Sequence, residues 1–216
     1  MEIYSPSMEI YSPSMEIYSP DGDLRIVNLR MSDGHTGFHT ACEKGEIKLV
    51  SSLIRFADDD LLVAREKGGH SCLHFACERV DLDIVKLLIT VNNSSLPSIA
   101  SNDGTTCLHT ASCMGHADIV RELAILGEDL LVATDKYGLS CLHFACIRGH
   151  LDVVKLLLGV NQVSLPKIAS TCGATCLHFA CDEGLEEIVR ELVWVGGEDL
   201  LLATDKSGFS CLHLAC

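Results

Sequence analysis

Ser140-Cys141-Leu142-His143-Phe144-Ala145-Cys146 places a hydroxyl, two thiols and an imidazole within seven residues, and the chain writes this stretch, with small edits, six times. Such side chains suggest three chemistries. A hydroxyl three residues before a histidine could be a nucleophile with its base. Paired thiols could form disulfides, and thiols with histidine could hold zinc. Supply is not limiting, with 12 cysteines and 10 histidines in 216 residues. Each chemistry demands a particular distance, so the elements that carry these residues decide among them.

The repetition dictates those elements. The motif histidines fall at His39, His74, His109, His143, His178 and His213, at intervals of 35, 35, 34, 35 and 35 residues. The chain therefore divides into units at 31–65, 66–100, 101–134, 135–169, 170–204 and an incomplete 205–216, after a lead-in at 21–30. Each unit opens with a turn glycine five residues before its histidine: Gly34, Gly69, Gly104, Gly138, Gly173 and Gly208. Two residues later stands a helix-capping Thr36, Ser71, Thr106, Ser140, Thr175 or Ser210, whose hydroxyl can accept from an orphaned first-turn N–H. A short first helix follows. A second begins after Gly149 or its counterparts, and Leu151-Asp152-Val153-Val154-Lys155-Leu156-Leu157-Leu158 gives it an apolar stripe too broad for one hairpin to bury. Neighbouring units must stack.

The unit resembles an ankyrin repeat, whose T-P-L-H-x-A motif is matched by Ser71-Cys72-Leu73-His74-Phe75-Ala76 and Thr175-Cys176-Leu177-His178-Phe179-Ala180. The later G-H-x-D-I-V-K/R-x-L segment is matched by Gly115-His116-Ala117-Asp118-Ile119-Val120-Arg121-Glu122-Leu123. The match runs over about residues 31–216. Three departures stand out: cysteine replaces the family's proline in five copies, Val80 replaces the inter-helix glycine, and the first copy degrades to Thr36-Gly37-Phe38-His39. The resemblance implies an all-α ankyrin-repeat solenoid of helix-turn-helix units with projecting fingers. It also implies a structural motif histidine that ties neighbouring turns together, with the preceding Ser or Thr as its partner. Ser140 and His143 are thus expected to be a capping pair.

Spacing weighs against most thiol chemistry. Packed helices lie about 8–10 Å apart, so equivalent thiols such as Cys72, Cys107, Cys141, Cys176 and Cys211 form a ladder. A disulfide needs Cα atoms about 4.4–6.8 Å apart, and zinc needs each sulfur at about 2.3 Å. Within a unit, Cys141 and Cys146 are separated by about 140° of helical rotation and point apart. Cys77, Cys146, Cys181 and Cys216 are expected to pack as small apolar groups. The one local cluster is Cys172, Cys176, His178 and Cys181, which makes a thiol-based redox or metal sensor one alternative function. The sequence contains no G-x-S-x-G, G-x-x-x-x-G-K-[ST], H-E-x-x-H or C-x-x-C pattern. No cofactor or metal is expected, and no catalytic residue.

The expected function is protein binding by a non-enzymatic scaffold or adaptor. The resemblance implies a concave groove of fingers and first-helix faces, and residues beside the turn glycines are the candidate contacts: Lys67, His70, Asn102, Asp103, Lys136, Tyr137, Leu139, Thr171, Lys206 and Phe209. Tyr137, Leu139 and Phe209 are the expected anchors, whereas Trp194 is expected to pack near the end of a second helix. A second alternative is a regulatory segment of a larger enzyme or channel.

A formal net charge of −14, from Lys+Arg 16 against Asp+Glu 30, argues against nucleic acid or an anionic membrane; the acidity serves solubility in the plain reading, with a basic protein partner as the sharper alternative. Acidic pairs recur in alternate units at Asp59-Asp60, Glu128-Asp129 and Glu198-Asp199. No apolar run approaches the roughly 20 residues that cross a bilayer, and MEIYSPSMEIYSPS lacks the layout of a secretory signal. These features predict an intracellular chain, cytoplasmic or nuclear. Residues 1–20 repeat a heptapeptide with Pro6, Pro13 and Pro20 and predict a disordered tail. The ending at Cys216, partway through a first helix, predicts a fragment of a longer protein.

Overall fold

The fold is described from a computed structural model over residues 30–92 and 95–214. The expectations for the 1–20 tail, for most of the 21–30 lead-in and for Cys216 lie outside the described residues.

Helices come in pairs, in the order the periodicity predicts. The first pair is α1 (Gly37–Lys44) and α2 (Ile47–Ile54), followed by a short α3 (Asp59–Leu62). The next are α4 (Cys72–Glu78) with α5 (Leu82–Val91), then α6 (Cys107–Met114) with α7 (Ala117–Ala124) and the short α8 (Glu128–Val132). After them come α9 (Cys141–Ile147) with α10 (Leu151–Val160), a 3-10 turn at Leu165–Lys167, α11 (Cys176–Asp182) with α12 (Glu186–Leu202), and α13 (Cys211–Leu214). A backbone break at Gly197 (φ 59°, ψ −154°) divides α12. Among the described residues there are no β-strands. Isolated antiparallel bridges, such as Ala100 with Thr106 and Thr134 with Ser140, close the hairpin that precedes every first helix except α4.

The pairs stack in two rows. α1, α4, α6, α9, α11 and α13 pack side by side in one, and α2, α5, α7, α10 and α12 in the other. Between the rows runs one continuous core, with Leu73, Leu108, Leu142 and Leu177 from the first helices against Ile84, Leu88, Ile119, Leu123, Val154 and Leu157 from the second. None of these is more than 1 % exposed. Each hairpin alone would leave its stripe in water, so the stability of a unit resides largely in its neighbours.

The turn between paired helices requires a left-handed residue. Gly115 (φ 77°) and Gly149 (φ 73°) supply it, satisfying the last carbonyls of α6 and α9. In the second unit the same conformation falls on Val80, at φ 71°.

Candidate functional site

Five of the six fingers are tight loops drawn shut by the side chain of their first residue. The carboxylate of Asp135 accepts from the N–H groups of Tyr137 (2.9 Å) and Leu139 (2.8 Å), and Asp205 does the same for Ser207 and Phe209. Ser101 uses its hydroxyl for Asp103 and Thr105. In the second finger Glu66 takes this role. Burial alone would raise its carboxyl, but the Gly68 and His70 N–H groups and the His70 ring outweigh that and bring it down to about 2.

Backbone hydrogen bonds join successive fingers: Asn102 N to Gly68 O (2.9 Å), Lys136 N to Asp103 O (2.8 Å), Thr171 N to Tyr137 O (2.7 Å) and Lys206 N to Cys172 O (2.9 Å). The turn glycines permit this approach. A Cβ at Gly138 (φ 74°) would meet Thr171 N at 2.9 Å. The ladder sets Lys67, Asn102, Asp103, Lys136, Tyr137, Thr171 and Lys206 in one exposed row. Phe209 is 49 % and Tyr137 56 % exposed, while His70 and Leu139 are half-buried.

Several of these residues also hold the row together. The Asn102 amide donates to Lys67 O at 2.7 Å and accepts from Arg65. Lys136 Nζ lies 2.5 Å from Asp103 Oδ1 on the preceding finger and 5.0 Å from the centre of its neighbour's ring, Tyr137. The Asp103 contact raises the Lys136 ammonium above its usual range.

The serine–histidine pairs are caps. Ser140 N donates to His143 Nδ1 at 3.1 Å, and Ser140 and His143 complete a reciprocal capping box. Because a backbone N–H can only donate, Nδ1 is the unprotonated nitrogen and the proton sits on Nε2. In His74, His109 and His178 that proton reaches the next finger, at Thr105 O, Leu139 O and Phe209 O respectively, each 3.1 Å away, whereas the buried Nε2 atoms of His39 and His143 have no hydrogen-bond partner among the described residues. Burial lowers His39, His74, His109 and His143 to about 4.

Beside the fingers the first helices form a groove whose residues escaped the sequence analysis. The residue after the motif histidine is phenylalanine in three units, and its ring packs edge-on against the histidine of the preceding unit. Phe75 lies 5.7 Å from His39, Phe144 5.6 Å from His109 and Phe179 5.7 Å from His143. In the third unit the position is Thr110, too short to cover His74. The result is a notch of about 300 Å³ between Phe75 and Phe144, floored by His74 and Thr110 and edged by Met114 and Cys113. It opens onto a wider hollow of about 830 Å³ lined by Glu43, Lys44, Glu78 and Arg79. The signal was available: in Cys-Leu-His-Phe-Ala-Cys the phenylalanine alone points off the buried face, and the third copy lacks it.

Among the described residues the thiols do not gather into a site within one unit. Cys176, His178 and Cys181 are buried in or beside the core, while Cys172 is exposed on a finger, so this cluster does not converge. The Ser170 hydroxyl, 3.0 Å from its sulfur, lowers the Cys172 thiol. No group of three or more metal-ligating side chains comes together among the described residues. Non-equivalent cysteines, however, meet across the repeat interfaces. At the packed interfaces α1–α4, α4–α6, α9–α11 and α11–α13, the buried second motif cysteine of one unit neighbours the buried first motif cysteine of the next, in Cys42–Cys72, Cys77–Cys107, Cys146–Cys176 and Cys181–Cys211. Trp194 lies on a second helix as expected, but its side chain is 86 % exposed rather than packed.

No helix among the described residues is long and apolar enough to cross a membrane. No curated protein matches the chain. The family model "Ankyrin repeats (3 copies)" matches residues 15–96, 38–132, 81–167 and 142–216. Ankyrin repeats are protein–protein interaction modules. With the caps, fingers and two helical rows in place, the chain belongs to the ankyrin repeat family.

Proposed function

We propose that the finger row and the groove beside it dock a protein partner, and that the chain acts as a non-enzymatic scaffold or adaptor over residues 31–216. The observation that carries this reading is the notch at Thr110. It is an apolar recess bounded by two phenylalanine rings, next to a finger row whose backbone is already fixed by hydrogen bonds. A recess of that kind receives one apolar anchor from a partner, and a pre-ordered rim lowers the entropic cost of docking. Lys67, His70, Asn102, Asp103, Lys136, Tyr137, Leu139, Thr171, Lys206 and Phe209 form the rim. The charge of −14 favours a basic protein partner over nucleic acid or an anionic bilayer, and we place its action inside the cell, in cytoplasm or nucleus.

The test fills the notch. Thr110→Phe restores the ring that the second, fourth and fifth units carry and should leave the fold intact. Proteins retained from lysate by the wild-type chain should be lost by Thr110→Phe and by Tyr137→Ala with Lys136→Glu, and kept by Trp194→Ala on the opposite row. Retention of the same proteins by Thr110→Phe would refute the notch as the docking site.

A further inference from the structure

The four facing thiol pairs belong neither to the docking surface nor to the family's motif, which has proline where Cys72, Cys107, Cys176 and Cys211 stand. In each pair the partners are thirty residues apart, one at the end of a motif and the other at the start of the next. The helices that carry them pack directly: α1 on α4, α4 on α6, α9 on α11 and α11 on α13. Seven of the eight thiols belong to residues no more than 1 % exposed, and the eighth, Cys181, is 8 % exposed. Each first-position sulfur also faces a carbonyl ten residues back, such as Cys107 to Pro97 O at 3.5 Å and Cys72 to Leu62 O at 3.6 Å. This fixes its side chain toward the interface. At the remaining interface, between α6 and α9, Ser112 occupies the second position opposite Cys141, and its hydroxyl has no partner.

We propose that Cys42–Cys72, Cys77–Cys107, Cys146–Cys176 and Cys181–Cys211 are dithiol sites that a peroxide converts to disulfides, each stapling one repeat to the next. A thiolate of the pair attacks a peroxide oxygen. The S–O bond forms, the O–O bond breaks, and the departing hydroxide takes up the proton that the thiol released, so that a sulfenic acid and water result. The facing thiol then attacks that sulfur, the S–S bond forms, the S–O bond breaks and a second water leaves. Two thiols are oxidised by two electrons in total and one hydrogen peroxide is reduced to two waters. Burial and the facing sulfur disfavour the thiolate at Cys72, Cys77 and Cys146. The pairs therefore react when an interface opens locally, and more slowly than exposed Cys172. Closing a disulfide on each opened interface converts a stack held by packing into one held covalently, while the Ser112–Cys141 interface remains the single unstapled joint.

The test uses the reduced full-length chain exposed to hydrogen peroxide without denaturant, then alkylated in denaturant and mapped by non-reducing peptide mass spectrometry. Oxidation of Cys172 serves as the internal sign that the oxidant acted. The expected map shows the four named cross-links, with Cys113 and Cys141 alkylated, and a urea midpoint that rises on oxidation and returns with dithiothreitol. A Ser112→Cys variant should add a fifth cross-link, to Cys141, and Cys42→Ala should remove only the link to Cys72. Oxidised Cys172 with the eight pair thiols still alkylated would overturn the proposal, and so would any other pattern of cross-links.

Discussion

His74 Nε2 lies 3.1 Å from the carbonyl oxygen of Thr105, a residue of the next finger, while its Nδ1 accepts from Ser71 N at 3.1 Å. One neutral ring thus caps its own helix and holds the adjacent repeat, and a second proton would break the contact at Nδ1. The same arrangement in His109 reaches Leu139 at 3.1 Å.

This predicts acid sensitivity with a definite window. Burial lowers His39, His74, His109 and His143 from 6.5 to about 4. Above pH 6.5 both folded and unfolded chains carry these rings neutral, and the stabilisation is complete. As pH falls from 6.5 toward 4 the unfolded chain takes up protons that the stack refuses, so stability declines, and below 4 these rings add no further loss. The expected loss by about pH 5 is roughly 1–2 kcal/mol per histidine. Urea midpoints at about pH 7.5 and about pH 5 check this, and a His109→Gln variant should show a shallower slope. Glu66, lowered from 4.5 to about 2, stabilises the stack fully above pH 4.5 and adds to the acid loss only as pH falls from 4.5 toward 2.

Val80 sits at φ 71° in the turn where the other units place glycine, and it is 56 % exposed. A left-handed β-branched residue is strained by about 1–2 kcal/mol, and little burial offsets it. Val80→Gly should therefore stabilise the chain by about 1 kcal/mol, read as a higher urea midpoint. A lower midpoint for Val80→Gly would show that the valine side chain contributes more to packing than its backbone costs.

Trp194 is the single tryptophan and is 86 % exposed. Its fluorescence should have the red-shifted maximum of an indole in water, be readily quenched by acrylamide, and move little on unfolding. Trp194→Ala should change stability by no more than about 0.5 kcal/mol. A blue-shifted, quencher-resistant emission from the native chain would contradict the exposed placement.

Much of this was legible in the chain itself. A 35-residue interval repeated through six copies is a covalent property, and so are the turn glycines, the capping hydroxyls and the apolar stripes. Local physics turns each into an element: positive φ selects Gly104 and Gly138, an orphaned N–H selects Ser140, and helical periodicity aligns Leu142 with Ala145. The pairing of Ser140 with His143 was implied by the ankyrin resemblance, and the reciprocal capping box bears it out. The groove was only half legible. Its phenylalanines stand in the sequence, but that Thr110 leaves His74 uncovered depends on which ring lies over which histidine.

The sequence by itself determined the repeat, the helical pairs, the caps and the need to stack, because each depends on residues within one unit or on a pattern common to all. Tertiary structure alone decided how neighbouring units register. Helical geometry correctly separates Cys141 from Cys146 and keeps equivalent cysteines on separate rungs. It does not specify that Cys146 meets Cys176, since that contact is set by the offset between two packed helices. The same offset decides that Phe144 covers His109, and the packing of the second-helix row leaves Trp194 in water. Packing between units fixes these relations through many small contacts, none of which has a signature in the residues of one unit.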